Sequence, residues 1–84
     1  MPAIPTIHLN GTSKAALLLA LTTADAALSE AGNALAETAP NARDYYPQGP
    51  DAYGKAADEH EAKMAAIGKM RLDISEVVNA IYFK

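Results

Sequence analysis

From Lys14 onward, apolar residues fall at Leu17, Leu21, Ala24, Leu28, Ala31 and Leu35, alternately four and three residues apart. That is a heptad seam over nearly three heptads, and it predicts a helix over residues 13–38. Ser29, Glu30, Asn33 and Glu37 fall off the seam. Thr12 or Ser13 can cap this helix by accepting from a free N–H of its first turn. Neither has Glu or Gln three residues on, so the reciprocal capping box is missing. Gly32 weakens the pattern locally by about 1 kcal/mol relative to alanine. Pro40 stops the helix, because proline disfavours a helical residue before it.

A second periodic series runs Tyr53, Ala56, His60, Met64, Ile67, Met70 or Arg71, Ile74, Val77 or Val78, and Ile81. It predicts a helix over 51–82, with Pro50 suited to a first helical position and Asp51 favoured at the positive N-terminal end. Glu59 with Lys63, and Lys69 with Asp73, are spaced to pair on its exposed side. The two helices reach about 38 and 45 Å at 1.5 Å per residue. Residues 1–11 read as an extended arm: two early prolines, the alternation of Ile4, Thr6 and His8 against Ile7 and Leu9, then a turn at Asn10-Gly11. A short strand is the other reading of this segment. Residues 39–50 form a connection longer than the usual two to eight.

The pattern therefore predicts an all-α fold: one domain over 1–84, an antiparallel two-helix hairpin with a short extended N-terminal arm. Composition adds assembly to that picture. Half of the 84 residues are hydrophobic, but with only four Tyr, one Phe and no Trp the apolar share is mostly alanine and leucine. Such helices form readily and pack thin cores. A chain this short buries a modest fraction of its surface, and a lone hairpin has one covered face. A second hairpin should pack on it, giving a homo-oligomeric helical bundle.

Charge and residue content then narrow the function. No cysteine is present, so disulfides and thiolate metal sites are excluded. A net charge of −3 argues against a DNA- or RNA-binding surface, although a small anion needs only two or three positive groups. The N-terminus lacks the basic and apolar regions of a signal peptide. The most apolar stretch, Ala15 to Leu21, is about a third of the ~20 residues that span a bilayer. The expectation is a cytoplasmic protein without membrane contact.

Candidate chemistry sits around the connection. Glu59-His60-Glu61 resembles half of a zinc-protease motif, but Met64 stands where the second histidine belongs, so no metal site is expected. Residues 49–56 match the first seven positions of a phosphate-binding loop and fail at Ala56, where Ser or Thr should hold magnesium. What survives is a helix N-terminus with free N–H groups and Lys55 nearby. Arg43-Asp44-Tyr45-Tyr46 combines an anion donor with two stackable rings, the equipment that grips a nucleobase and its phosphate. The alternative is that the tyrosines cap the thin core while Arg43 pairs with Asp44. His60 lies one heptad after Tyr53, so the aliphatic stripe turns polar and aromatic toward the loop. Tyr53 and His60 either floor a pocket there, or His60 is partly buried and bonded to a carboxylate or carbonyl. His8, Asn10, Thr12 and Ser13 serve as turn and cap, or as a second polar edge. No Ser/His/Asp arrangement and no carboxylate pair is available, so neither an enzyme nor a cofactor is expected.

Two runs, residues 7–13 (Ile-His-Leu-Asn-Gly-Thr-Ser) and 39–53 (Ala-Pro-Asn-Ala-Arg-Asp-Tyr-Tyr-Pro-Gln-Gly-Pro-Asp-Ala-Tyr), resemble a group of small uncharacterised phage and prophage proteins. Those relatives favour acidic residues after the first cap, where this chain has Ala15 and Ala16. In size and build the chain is also similar to viral nucleotide sponges, small oligomers that sequester the cyclic nucleotide or cyclic ADP-ribose signals of antiphage systems such as CBASS and Thoeris. That likeness implies a binding protein in the host cytoplasm that captures a small anionic nucleotide between subunits. The candidate residues come from the residue reading: Arg43 and Lys55 for phosphate, Tyr45, Tyr46 or Tyr53 for a base, His60 or Asn41 for further hydrogen bonds. The alternative is a structural or protein-binding hairpin, such as a virion accessory or a partner of a host protein.

Overall fold

The computed structural model describes residues 2–83. They fold as two long helices, α1 (Lys14–Ala36) and α3 (Ala52–Tyr82), joined by a short helix α2 (Ala42–Tyr45) and a single 3₁₀ turn (Tyr46–Gln48). No strand forms among the described residues, and residues 2–13 are a non-helical arm.

Ser13 supplies the cap of α1: its Oγ accepts from the N–H of Ala16 at 3.1 Å. The helix ends at Ala36, two residues before the predicted limit of 38. There the Thr38 N–H and hydroxyl both donate to the Leu35 carbonyl, at 2.9 and 2.7 Å, so the last turn tightens before Pro40. The connection is more ordered than a plain loop. Asn41 accepts from the Arg43 N–H at 2.9 Å and starts α2, and Pro47 suits the 3₁₀ turn that follows. Gly49 leaves that turn at φ 117°, a conformation open to glycine alone. Helix α3 then begins at Ala52, not at Pro50 or Asp51: Asp51 is its N-cap, and Pro50 lies in the preceding turn.

Contacts between the long helices run in opposite order along the chain. Lys14 Nζ donates to the Tyr82 carbonyl at 3.3 Å, Asp25 pairs with Arg71, and Gly32 faces Ile67. The packed row of α1 is Leu18, Leu21, Asp25, Leu28, Gly32 and Leu35, each half-buried. The predicted row had Ala24 and Ala31, which are exposed. Leu21, Leu28 and Leu35 serve either heptad phase. The observed phase brings Asp25 within reach of Arg71 and sets Gly32 against Ile67, where a Cβ would sit at an ordinary 3.7 Å from Ile67 Cγ2. On α3 the facing row includes Ala57, His60, Met64, Ile67, Ile74, Val78 and Ile81, half-buried or buried. Lys69 and Asp73 form the predicted i,i+4 pair at 3.1 Å; Glu59 and Lys63 form none.

Only Ile81, at 1% exposure, is sealed from solvent among the described residues. It lines a groove of about 380 Å³ with Thr6 and Ile7 of the arm and Lys14. The arm ends in a turn, with the Gly11 N–H donating to the His8 carbonyl at 3.1 Å. The His8 ring lies over Gly11 so closely that a Cβ there would come 2.8 Å from Nε2. The molecule measures 61 × 22 × 19 Å, with a radius of gyration of 18.4 Å. A compact chain of this length would have about 12 Å. By length and composition α1 could cross a membrane, and none of the apolar window that makes it so is buried.

Candidate functional site

Two shallow depressions adjoin where α2 and the 3₁₀ turn meet the first turns of α3. One, of about 210 Å³, is lined by Thr38, Pro40, Tyr45, Ala56, Glu59, His60 and Lys63. The other, of about 260 Å³, shares Tyr45, Ala56 and Glu59 and adds Gln48, Ala52 and Lys55. Helical spacing explains the convergence. Ala52, Ala56, Glu59 and Lys63 are four, three and four residues apart, so they form one row along α3. Asn41 caps α2, and Tyr45 of that helix lines both depressions.

Of the residues singled out from the sequence, Tyr45, Lys55 and His60 are brought together here. Tyr45 and His60 are half-buried, and Lys55 is exposed beside them. Asn41, Arg43, Tyr46 and Tyr53 line neither depression. The Asn41 side chain is occupied in capping α2. Tyr46 is 75% exposed, Tyr53 is exposed on the first turn of α3, and Arg43 is exposed on α2. No ion pair joins Arg43 to Asp44 among the described residues, so the alternative pairing for that arginine is not formed.

Glu59 and Lys63 are the lining residues that the sequence reading missed as site members. Their four-residue spacing predicts a surface ion pair. Its other meaning is that both share a face with Ala52 and Ala56, one step from His60.

Chemically the rim offers two ammonium groups, an imidazole, a phenol ring and one carboxylate. This set can hold a singly or doubly charged anion beside an aromatic plane, with Glu59 accepting from an amine or hydroxyl. No group of three or more His, Asp or Glu residues placed to hold a metal occurs among the described residues. The chain matches no protein-family model, no curated protein and no solved structure.

Proposed function

We propose that this chain is a phage-type, non-enzymatic binding protein. In this reading it is an antiparallel hairpin that assembles with its own copies into a helical bundle. Its loop end captures a small anionic nucleotide signal, of the cyclic oligonucleotide or cyclic ADP-ribose type, and so blunts a bacterial antiphage defence. The protein acts in the host cytoplasm, without cofactor or metal.

The observation that supports this is the convergence of Tyr45, Lys55, His60 and Lys63 around the adjoining depressions. A ring for stacking beside two cations is a workable minimum for a base and its phosphate. In this reading Lys55 and Lys63 hold the phosphate, and Arg43 lies outside the depressions.

The test is a thermal-shift and calorimetric screen against cyclic di-GMP, cyclic GMP-AMP, cyclic tri-AMP and cyclic ADP-ribose. A ligand at 100 times its Kd stabilises the fold by about 2.7 kcal/mol. Tyr45→Ala and Lys63→Ala should each weaken the selected ligand at least tenfold, while Tyr46→Ala leaves it unchanged. If every nucleotide leaves Tm unmoved, the reading fails.

A second reading, a structural or protein-binding hairpin, is favoured by a different observation. Leu9 is 97% exposed and Phe83 80%, both far along the chain from the depressions. Pull-down that depends on Leu9 and Phe83, together with a flat nucleotide screen, is the result that would select it.

A further inference from the structure

The two flanks of the helix pair differ in kind. In an antiparallel pair, stepping one residue back from the packed row on each helix leads to the same flank. On α1 that step gives Leu17, Ala20, Ala24, Ala27, Ala31 and Ala34, a row without one polar group. On α3 it gives Ala56, Glu59, Lys63, Ala66, Met70, Asp73, Val77 and Ala80. Stepping forward leads to the other flank, where Thr22, Ser29 and Asn33 of α1 and Asp58, Glu61, Ser75 and Asn79 of α3 stand beside the exposed Leu19 and Leu72. The second flank holds most of the uncharged polar side chains, and the first is a strip rich in alanine that ends at the candidate site.

Area says how much of this surface is left over. The accessible surface is 6255 Å² for 8.8 kDa. Folded monomers of that mass expose about 4,800 Å². The excess on one chain, about 1,500 Å², is more than the roughly 800 Å² that each partner buries in a standard interface. The strip also carries both signs of charge. Glu59 and Lys63 do not pair with each other, so a copy related by two-fold symmetry can offer its lysine to this glutamate and its glutamate to this lysine.

We infer that a second copy of this chain docks on the alanine-rich flank, over Leu17, Ala24, Ala31 and Met70, and roofs the depressions beside Glu59 and Lys63. The inference rests on the self-assembly in the functional reading and is independent of any ligand. Two hairpins joined this way make a four-helix bundle, with Leu17 and Met70 covered. The open depressions then become closed sites between subunits, which is the form that ligand sites between bundled helices take.

The experiment compares two exposed alanines on α1, one on each flank. By analytical ultracentrifugation the wild-type chain and Ala26→Lys should both be dimeric or larger, and Ala24→Lys should be monomeric. Because the chain has no cysteine, single thiols give a second readout that does not depend on the lysine variants folding. In the wild-type background, Ala24→Cys, Lys63→Cys and Met70→Cys should label at least tenfold more slowly than Ala26→Cys and Leu72→Cys. The inference is overturned by a wild-type chain that stays monomeric at millimolar concentration. It is equally overturned by dispersal with Ala26→Lys but not Ala24→Lys, or by equal labelling on both flanks. Monomers that float with vesicles of phosphatidylcholine and phosphatidylglycerol would give the strip to a lipid surface and overturn it too.

Discussion

Arg71 meets Asp25 side by side across the helix pair, with Nε 2.9 Å from Oδ1 and the second nitrogen 3.4 Å from Oδ2. Both side chains remain partly exposed, 44% and 36%, so the pair adds little to stability by itself. Its contribution is to register. Leucine and alanine repeat so evenly along α1 that a slide of one turn would still bring apolar groups together. A slide that separates Asp25 from Arg71 gives up this two-point hydrogen bond.

Replacing the pair should therefore separate stability from uniqueness. Asp25→Leu with Arg71→Leu is expected to keep the helix content and raise Tm by a few degrees. The amide spectrum should broaden or double as alternative registers become populated. Asp25→Ala alone should lower Tm. A double variant with one sharp set of resonances would show that the register is fixed elsewhere.

The same pair predicts a pH dependence. The hydrogen bond from Arg71 holds the Asp25 carboxyl below its ordinary value of 3.8, and the carboxylate in turn raises the arginine. A lowered carboxyl contributes stability above its unfolded pKa and loses it as pH falls through the folded value. Arginine stays charged throughout that range. The Tm difference between wild type and Asp25→Asn should thus be constant near neutrality and close as pH drops below 3.8. A gap that is unchanged at acid pH would exclude this linkage.

Two glycine-to-alanine changes should move stability in opposite directions. At Gly32 the new methyl would meet Ile67 at an ordinary 3.7 Å, so helix propensity decides and the gain is about 1 kcal/mol. At Gly49, φ 117° is a conformation that costs a side chain roughly 1–3 kcal/mol. Urea unfolding of both variants at one protein concentration measures the signs. Two losses would mean that the helices approach at Gly32 more tightly than this spacing.

Much of this architecture was legible in the sequence, and the reasons it was partly misread are specific. Leu21, Leu28 and Leu35 marked the face of α1, but they fit two heptad phases equally. Hydropathy alone preferred Ala24 and Ala31, because a charge and a glycine look wrong in a seam. The true phase needs a long-range partner for Asp25, 46 residues away. Asn41 ahead of Ala-Arg-Asp was a readable cap, yet prolines at 40 and 47 masked a helix of four residues. At the site, His60 and Tyr45 were placed by their sequence neighbourhood, whereas Lys63 emerged only through the turn of α3. Arg43 drew notice for its chemistry, and chemistry without position did not bring it to the depressions.

The 46-residue separation of Asp25 from Arg71 also has a meaning in time. A ribosome adding roughly 5–20 residues per second leaves about 2–9 s between the emergence of the aspartate and that of its arginine. For that interval α1 is a nascent helix whose apolar window meets the length and hydropathy of a membrane segment. At its midpoint an unneutralised aspartate adds about 3 kcal/mol to the cost of insertion. Before it meets Arg71, Asp25 thus raises the cost of placing α1 in a bilayer.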